Sequence, residues 1–170
     1  LCEGEITVSD IKKVLVPITF SEFSKELIDY AVGIARPLSA EVIFINVIDE
    51  RDLRAVQTIT SFGYEVDETH YIQEIENHRI GILEAHLNRI DYPDEKMRFV
   101  FKKGRPAAEL LKFAINEGVE LIIMEIKGKS EILHALSGSI AEKMFRYSPV
   151  PVLSYRRKEI ADKLLKRIKM

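Results

Sequence analysis

Two glycines, Gly128 and Gly138, bracket nine residues, and the hydroxyl of Ser139 follows the second. Glycine lets a backbone approach an anion closely, and free N–H groups at a helix start point at it. A phosphate cradle is the chemistry this spacing suits. Two known cradles are excluded. The dinucleotide G-x-G-x-x-G spacing is absent. Gly128-Lys129-Ser130 imitates the end of a P-loop, but that motif needs a glycine five residues before Gly128, and Ile123 stands there.

The elements around this stretch fit the purpose. The apolar run Leu121-Ile122-Ile123-Met124 reads as a buried strand, here taken over 120–124, and a helical pattern starts near Ser139 and runs to Tyr147. Further buried strands are read at 12–18 and 41–48, a third at 97–102 and a last at 151–155. Ser21 is the expected N-cap of a helix carrying Leu27, Ile28, Ala31, Val32, Ile34 and Ala35 on one side. Residues 49–67 read as a long connection. A helix follows over 68–90, broken by Tyr92-Pro93-Asp94. Another spans 106–117, entered through Gly104-Arg105-Pro106 and ended by Gly118. Residues 158–169 look helical. Alternating strands and helices imply an α/β fold, a doubly wound parallel sheet with helices on both faces. Ligands of such sheets lie beyond the carboxyl ends of the strands, where the strand order reverses.

Several fragments, taken in order, resemble the universal stress protein family. They are Val14-Leu15-Val16-Pro17, Asn46-Val47-Ile48-Asp49, Gly104-Arg105-Pro106, the Gly128 to Gly138-Ser139 loop with Ile140-Ala141-Glu142-Lys143, and Ser148-Pro149-Val150-Pro151-Val152-Leu153. The resemblance covers roughly residues 11–155, leaving a lead-in at 1–10 and a basic amphipathic helix at 156–170. It implies five strands in the order 3-2-1-4-5, an adenine-nucleotide-binding fold related to the alpha-hydrolase group, and a cytoplasmic homodimer paired through its last strand. It also implies a ligand crevice between the first and fourth strands. There the nucleotide-binding residues would be Pro17, Thr19, Val47, Met124, Lys127, Gly128, Gly138, Ser139 and Ile140. Phosphates would meet the backbone N–H groups of Gly128, Gly138, Ser139 and Ile140, and adenine would lie near Val47 and Pro17.

Two positions depart from the family pattern. Glu125 stands where the first motif glycine belongs, and Thr19 stands where nucleotide-binding members carry an acid that contacts adenosine. A carboxylate at ~5 Å from a phosphate charge, at an effective dielectric of ~20, costs roughly 3 kcal/mol. That is about two orders of magnitude in affinity. The expectation is therefore a degenerate site that takes ATP or AMP weakly, with no cofactor required. The alternative is a functional ATP or AMP switch.

No catalytic constellation appears. Ser21, Ser24, Ser137 and Ser139 have capping or loop explanations, and there is no G-x-S-x-G elbow. The place of the serine- and glycine-rich loop of related substrate-activating enzymes reads Ile18-Thr19-Phe20-Ser21-Glu22, without glycine. His70, Glu74 and His78 fall in one helical stripe that could hold a metal, but a polar solvent face explains them and no metal is expected. His86 is off that line, and His134 falls within the nine-residue loop.

Composition sets the outer bounds. The chain has 170 residues, 46% of them hydrophobic, with a formal charge of −2, which suits one globular domain with a two-sided core. No apolar run approaches a membrane span, and no export leader is evident. The single cysteine, Cys2, forbids an internal disulfide and fits a reducing compartment. Charge is unevenly spread: residues 49–96 hold twelve acids and five bases, and residues 156–170 hold seven bases and two acids. The basic tail lacks aromatic interleaving, so nucleic acid is not expected. A basic amphipathic helix can lie on an anionic membrane or grip an unidentified acidic protein partner, but it reads first as docking on the body of the protein or on a dimer mate.

Overall fold

The computed structural model describes residues 11–20, 25–53, 68–126 and 140–168. Strand β1 spans Lys13–Pro17, helix α1 Lys25–Leu38 and strand β2 Glu41–Asp49. Helix α2 spans Glu68–Leu87, β3 Met97–Gly104 and α3 Pro106–Glu117. Strand β4 spans Leu121–Glu125, α4 Ile140–Tyr147, β5 Val152–Tyr155 and α5 Lys158–Ile168. The sheet has five strands in the order β3-β2-β1-β4-β5. Every neighbouring pair is parallel. This is the expected doubly wound architecture.

Side chains alternate across the sheet because strand periodicity is two. Val14, Val16, Phe44 and Ile123 pack on one face with Leu27, Ile28, Ala31 and Val32 of α1 and Leu83 of α2. Leu15, Ile43, Ile45, Ile122 and Met124 pack on the other with Leu110, Phe113 and Ala114 of α3 and Met144 of α4. Val14, Leu15, Val16, Ile43, Ile45, Ile122 and Ile123 are fully buried, as the unbroken apolar runs imply.

Several boundaries differ from the sequence reading. Helix α2 stops at Leu87 rather than residue 90, because Arg89 and Ile90 donate to His86 and Leu87 in tight turn bonds at 3.0 and 2.8 Å. Strand β3 runs on to Gly104, since its polar end, Lys102 and Lys103, still pairs with Val47 and Ile48. Helix α3 has the expected limits. Arg105 is its N-cap residue, Pro106 opens it, and Gly118 ends it in the left-handed conformation, φ 65° and ψ 41°.

The base of the central strand is tied to the element before β4. The backbone N–H groups of Lys12 and Lys13 donate to one carboxylate oxygen of Glu120. Glu120 N–H returns a bond to the Lys13 carbonyl at 3.1 Å. Lys13 Nζ caps the end of α3 through the Glu117 carbonyl at 2.8 Å.

A crevice where β1 and β4 part

Strand β1 is paired with β2 along its whole length, from Lys13↔Glu41 to Pro17↔Ile45. With β4 it pairs only at Val14↔Leu121 and Leu15↔Ile122. Both strands continue beyond that point, to Pro17 and Glu125. They part at their carboxyl ends, which is the topological switch point of the strand order.

The candidate residues fall around this opening as far as the structure describes them. Pro17 ends β1, and exposed Thr19 follows it. Val47 is half-buried in β2, Met124 is buried near the end of β4, and Ile140 opens α4, exposed. Lys127, Gly128, Gly138 and Ser139 lie outside the described residues, as do Cys2, Ser21, Ser24, His134 and Ser137.

Glu125 follows the strand alternation and projects to the face covered by α1. Its register partner is Tyr155 of β5, whose ring lies 5.0 Å from that of Tyr30. Its carboxylate side chain is only 7% exposed, and Oε1 lies 2.6 Å from Nε of Arg157. Neither of these two atoms has an aligned hydrogen bond, so charge attraction holds the contact. Arg157 also starts α5: its carbonyl accepts the N–H groups of Ile160 and Ala161, each at 3.0 Å. Burial, followed by the carboxylates of Glu26 and Glu125, holds the Tyr155 hydroxyl above its ordinary value.

On the β2 side of β1, Asn46 is a buried polar residue, 4% exposed. Asn46 Nδ2 donates to the Ile18 carbonyl at 2.7 Å, taking up an acceptor just past the end of β1. Arg79 of α2 donates through a terminal nitrogen to Asn46 Oδ1 at 2.6 Å. Its guanidinium carbon lies 5.5 Å from the centroid of the Phe20 ring.

The sequence reading missed Arg79 and Arg157 as site residues. Arg157 was visible only as part of the basic tail. Arg79 was a base within the most acidic stretch, and that contrast was its one available signal. The histidine stripe does not converge: His70 pairs with Glu74 at 3.2 Å, both well exposed, while His86 meets Asp29 at 2.8 Å. Among the described residues no three metal-ligating side chains gather. Among the same residues no helix is long and apolar enough to cross a membrane.

Comparison with known proteins agrees with this geometry. The profile of the universal stress protein family matches residues 10–156. The universal stress protein YxiE of Bacillus subtilis is 32% identical over 149 residues, covering 85% of this chain and 98% of that one. The universal stress protein MJ0577 of Methanocaldococcus jannaschii is 28% identical over 155 residues, covering 86% and 96%. The solved structure of MJ0577 superposes with a TM-score of 0.66, covering 87% of this chain and 97% of that one. A universal stress protein solved in complex with cAMP shares the fold, with a TM-score of 0.56 at 19% identity and coverage of 86% and 97%. Motif order, strand order, the parting of β1 and β4 and these relatives converge: the chain belongs to the universal stress protein family.

Proposed function

We propose that this protein is a non-enzymatic regulatory homodimer of the cytoplasm whose crevice takes an adenine nucleotide weakly. The observation that carries the reading is the early end of the β1–β4 ladder, which opens the strand ends where the family's ligand motif converges. A relative of the same fold was solved with cAMP, which supports a nucleotide as the ligand class. In this reading Pro17 and Val47 flank the adenine, and the N–H groups of Gly128, Gly138, Ser139 and Ile140 meet the phosphates. Thr19 offers a hydroxyl where nucleotide-binding members place an acid, so donors on ribose or adenine are held less firmly. The affinity for ATP or AMP is then weaker than roughly 100 μM, about −5.5 kcal/mol.

The second reading, a functional ATP or AMP switch, is favoured by one observation. Glu125 does not stand as a free charge at the strand end, because Arg157 neutralises it. The repulsion computed for an isolated carboxylate therefore falls away in part. Titration calorimetry with AMP and ATP separates the two. A dissociation constant below about 10 μM establishes the switch, and one above about 100 μM establishes the weak site. Native mass spectrometry of freshly purified protein reads stoichiometry and retained nucleotide together.

The homodimer would form through β5, the last strand of the sheet order, which among the described residues pairs only with β4. An edge of that kind is a template for another strand. Beside it lies a groove of about 470 Å³ lined by Ile126, Ala141, Phe145 and Arg156, among others, with Phe145 exposed. Light scattering on the wild type should give a dimer and on Val152→Lys a monomer. A wild-type monomer at micromolar concentration refutes this arrangement.

A further inference from the structure

Among the described residues no carboxylate answers the charge of Arg79. Arg36, Arg51, Arg98, Arg105, Arg146 and Arg157 each meet a carboxylate. Arg79 has no carboxylate at ion-pair distance among the described residues. Asp52 and Glu76 act on it only at longer range. Burial is the largest influence on it and holds it below the ordinary guanidinium value. A half-buried cation without its anion is costly, so a structure that keeps one needs a reason.

The surroundings give the group a fixed aim. Asn46 holds one terminal nitrogen at 2.6 Å and is itself locked to the Ile18 carbonyl. Phe20 supports the guanidinium from one side, with Phe99 at 6.3 Å edge-on to Phe20 and Phe101 at 4.5 Å from Phe99. One arm of the five-donor fork is spent on Asn46. The remaining N–H groups of the fork have no partner among the described residues, and none of its nitrogens is both buried and unsatisfied. A preorganised fork beside aromatic rings suits a two-oxygen anion on a planar or apolar body. The Ile18 carbonyl that fixes Asn46 is one residue past the end of β1 and directly precedes Thr19. An acid there would welcome hydrogen-bond donors. A neutral threonine with a cation close by reverses that preference.

We propose that Arg79, held by Asn46 and backed by Phe20, is an oxyanion-binding residue of the crevice, and that the ligand of this protein carries a carboxylate or phosphate at its β1–β2 end. The proposal rests on the reading of the crevice as the ligand site, and it puts an oxyanion at the end where that reading puts adenine, so the two compete for that end.

The test follows the Arg79 Nε–Hε signal by nitrogen-15 NMR, titrating inorganic phosphate, benzoate and sodium chloride at matched ionic strength. Phosphate, benzoate or both should shift that signal saturably in the low-millimolar range, and chloride should not. The arm that saturates identifies the source of the oxyanion. Arg79→Gln should abolish the response and Arg79→Lys should weaken it about tenfold, with amide spectra confirming that both variants are folded. Phe20→Ala should weaken the response several-fold. Equal shifts with chloride, no saturation with either oxyanion, or an unchanged response elsewhere in the crevice of Arg79→Gln overturns the proposal. AMP calorimetry on the same samples keeps the two readings apart. Anion binding without AMP binding defeats the adenine reading alone, and AMP binding without an Arg79 response defeats this one alone.

Discussion

Oε1 of Glu125, in the last position of β4, lies 2.6 Å from Nε of Arg157, the residue that starts α5. The family profile ends at residue 156, so the cation comes from just outside the matched domain while the acid occupies a motif position within it. The two charges nearly cancel at the end of β4, which turns a repulsive substitution into a balanced one.

That balance is measurable. Glu125→Gly removes the carboxylate and should raise AMP affinity about tenfold; Arg157→Met leaves the carboxylate and should lower it about tenfold. The double variant should return close to the wild type. Calorimetry on the three variants decides it, and a double variant that tracks either single one would show that the charges do not compensate. Arg157→Met should also cost about 1–3 kcal/mol of stability, because the carboxylate that remains is buried.

Arg98 on β3 forks between two strands' neighbours: Nε bonds Glu41 at 3.0 Å and a terminal nitrogen bonds Glu117 at 2.6 Å. The hydrogen bond and charge of Arg98 hold the Glu117 carboxyl below its ordinary 4.5. A lowered folded-state value stabilises the protein above pH 4.5 and ceases to do so as pH falls through the lowered value. In Arg98→Met the urea midpoint should drop at pH 7 and the difference from wild type should close below pH 4.5. Because both side chains reach solvent, the difference should also shrink in high salt. A gap that persists in acid would assign the loss to packing instead.

The Tyr92 hydroxyl donates to the Ala40 carbonyl at the turn between α1 and β2. Tyr92→Phe leaves that acceptor unpaired and should cost about 1 kcal/mol. Burial raises the Tyr92 hydroxyl above 10.0 in the folded protein. The folded state then keeps a proton that the unfolded chain releases, so stability falls as pH rises above 10. Equilibrium unfolding should show a shallower alkaline decline in Tyr92→Phe, and an identical decline would exclude this hydroxyl as its source.

Gly118 holds φ 65° and its N–H meets the Ala114 and Ile115 carbonyls. Gly118→Ala has open space for its methyl group, so its cost is conformational, about 1 kcal/mol. Thermal unfolding should shift down by a few degrees, by roughly 2–4 °C for a chain of this size.

The elements legible in the sequence were those written in local chemistry. Helix α3 is bounded by Pro106 and Gly118, and a reader needs nothing else to place it. The central strands are unbroken apolar runs. Strand β3 was read short because Lys102 and Lys103 look like a loop, although their backbones pair with β2 whatever their side chains do. The candidate positions Pro17, Thr19, Val47 and Met124 were named by a motif, and they lie near the carboxyl ends of β1, β2 and β4. Arg79 and Arg157 were illegible for a different reason. Their partners, Asn46 and Glu125, are 33 and 32 positions away, and only the fold supplies those neighbours. The cost of Glu125 was reckoned for an unpaired charge, and Arg157, the cation that meets it, lay outside the motif.

The bonds from Lys12 and Lys13 to Glu120 have a consequence for synthesis. The strand at the middle of the sheet leaves the ribosome early, yet the residue that satisfies its base follows 107 positions behind Lys13. At about 5–20 residues per second, that interval is on the order of ten seconds. Throughout it, one flank of Val14, Leu15 and Val16 is open and rich in β-branched residues, a template for any passing strand. A chain interrupted before β4 would present this edge permanently. Translation products truncated before β4 should therefore be less soluble and more chaperone-bound than the full chain, which pelleting and pull-down of the two would check.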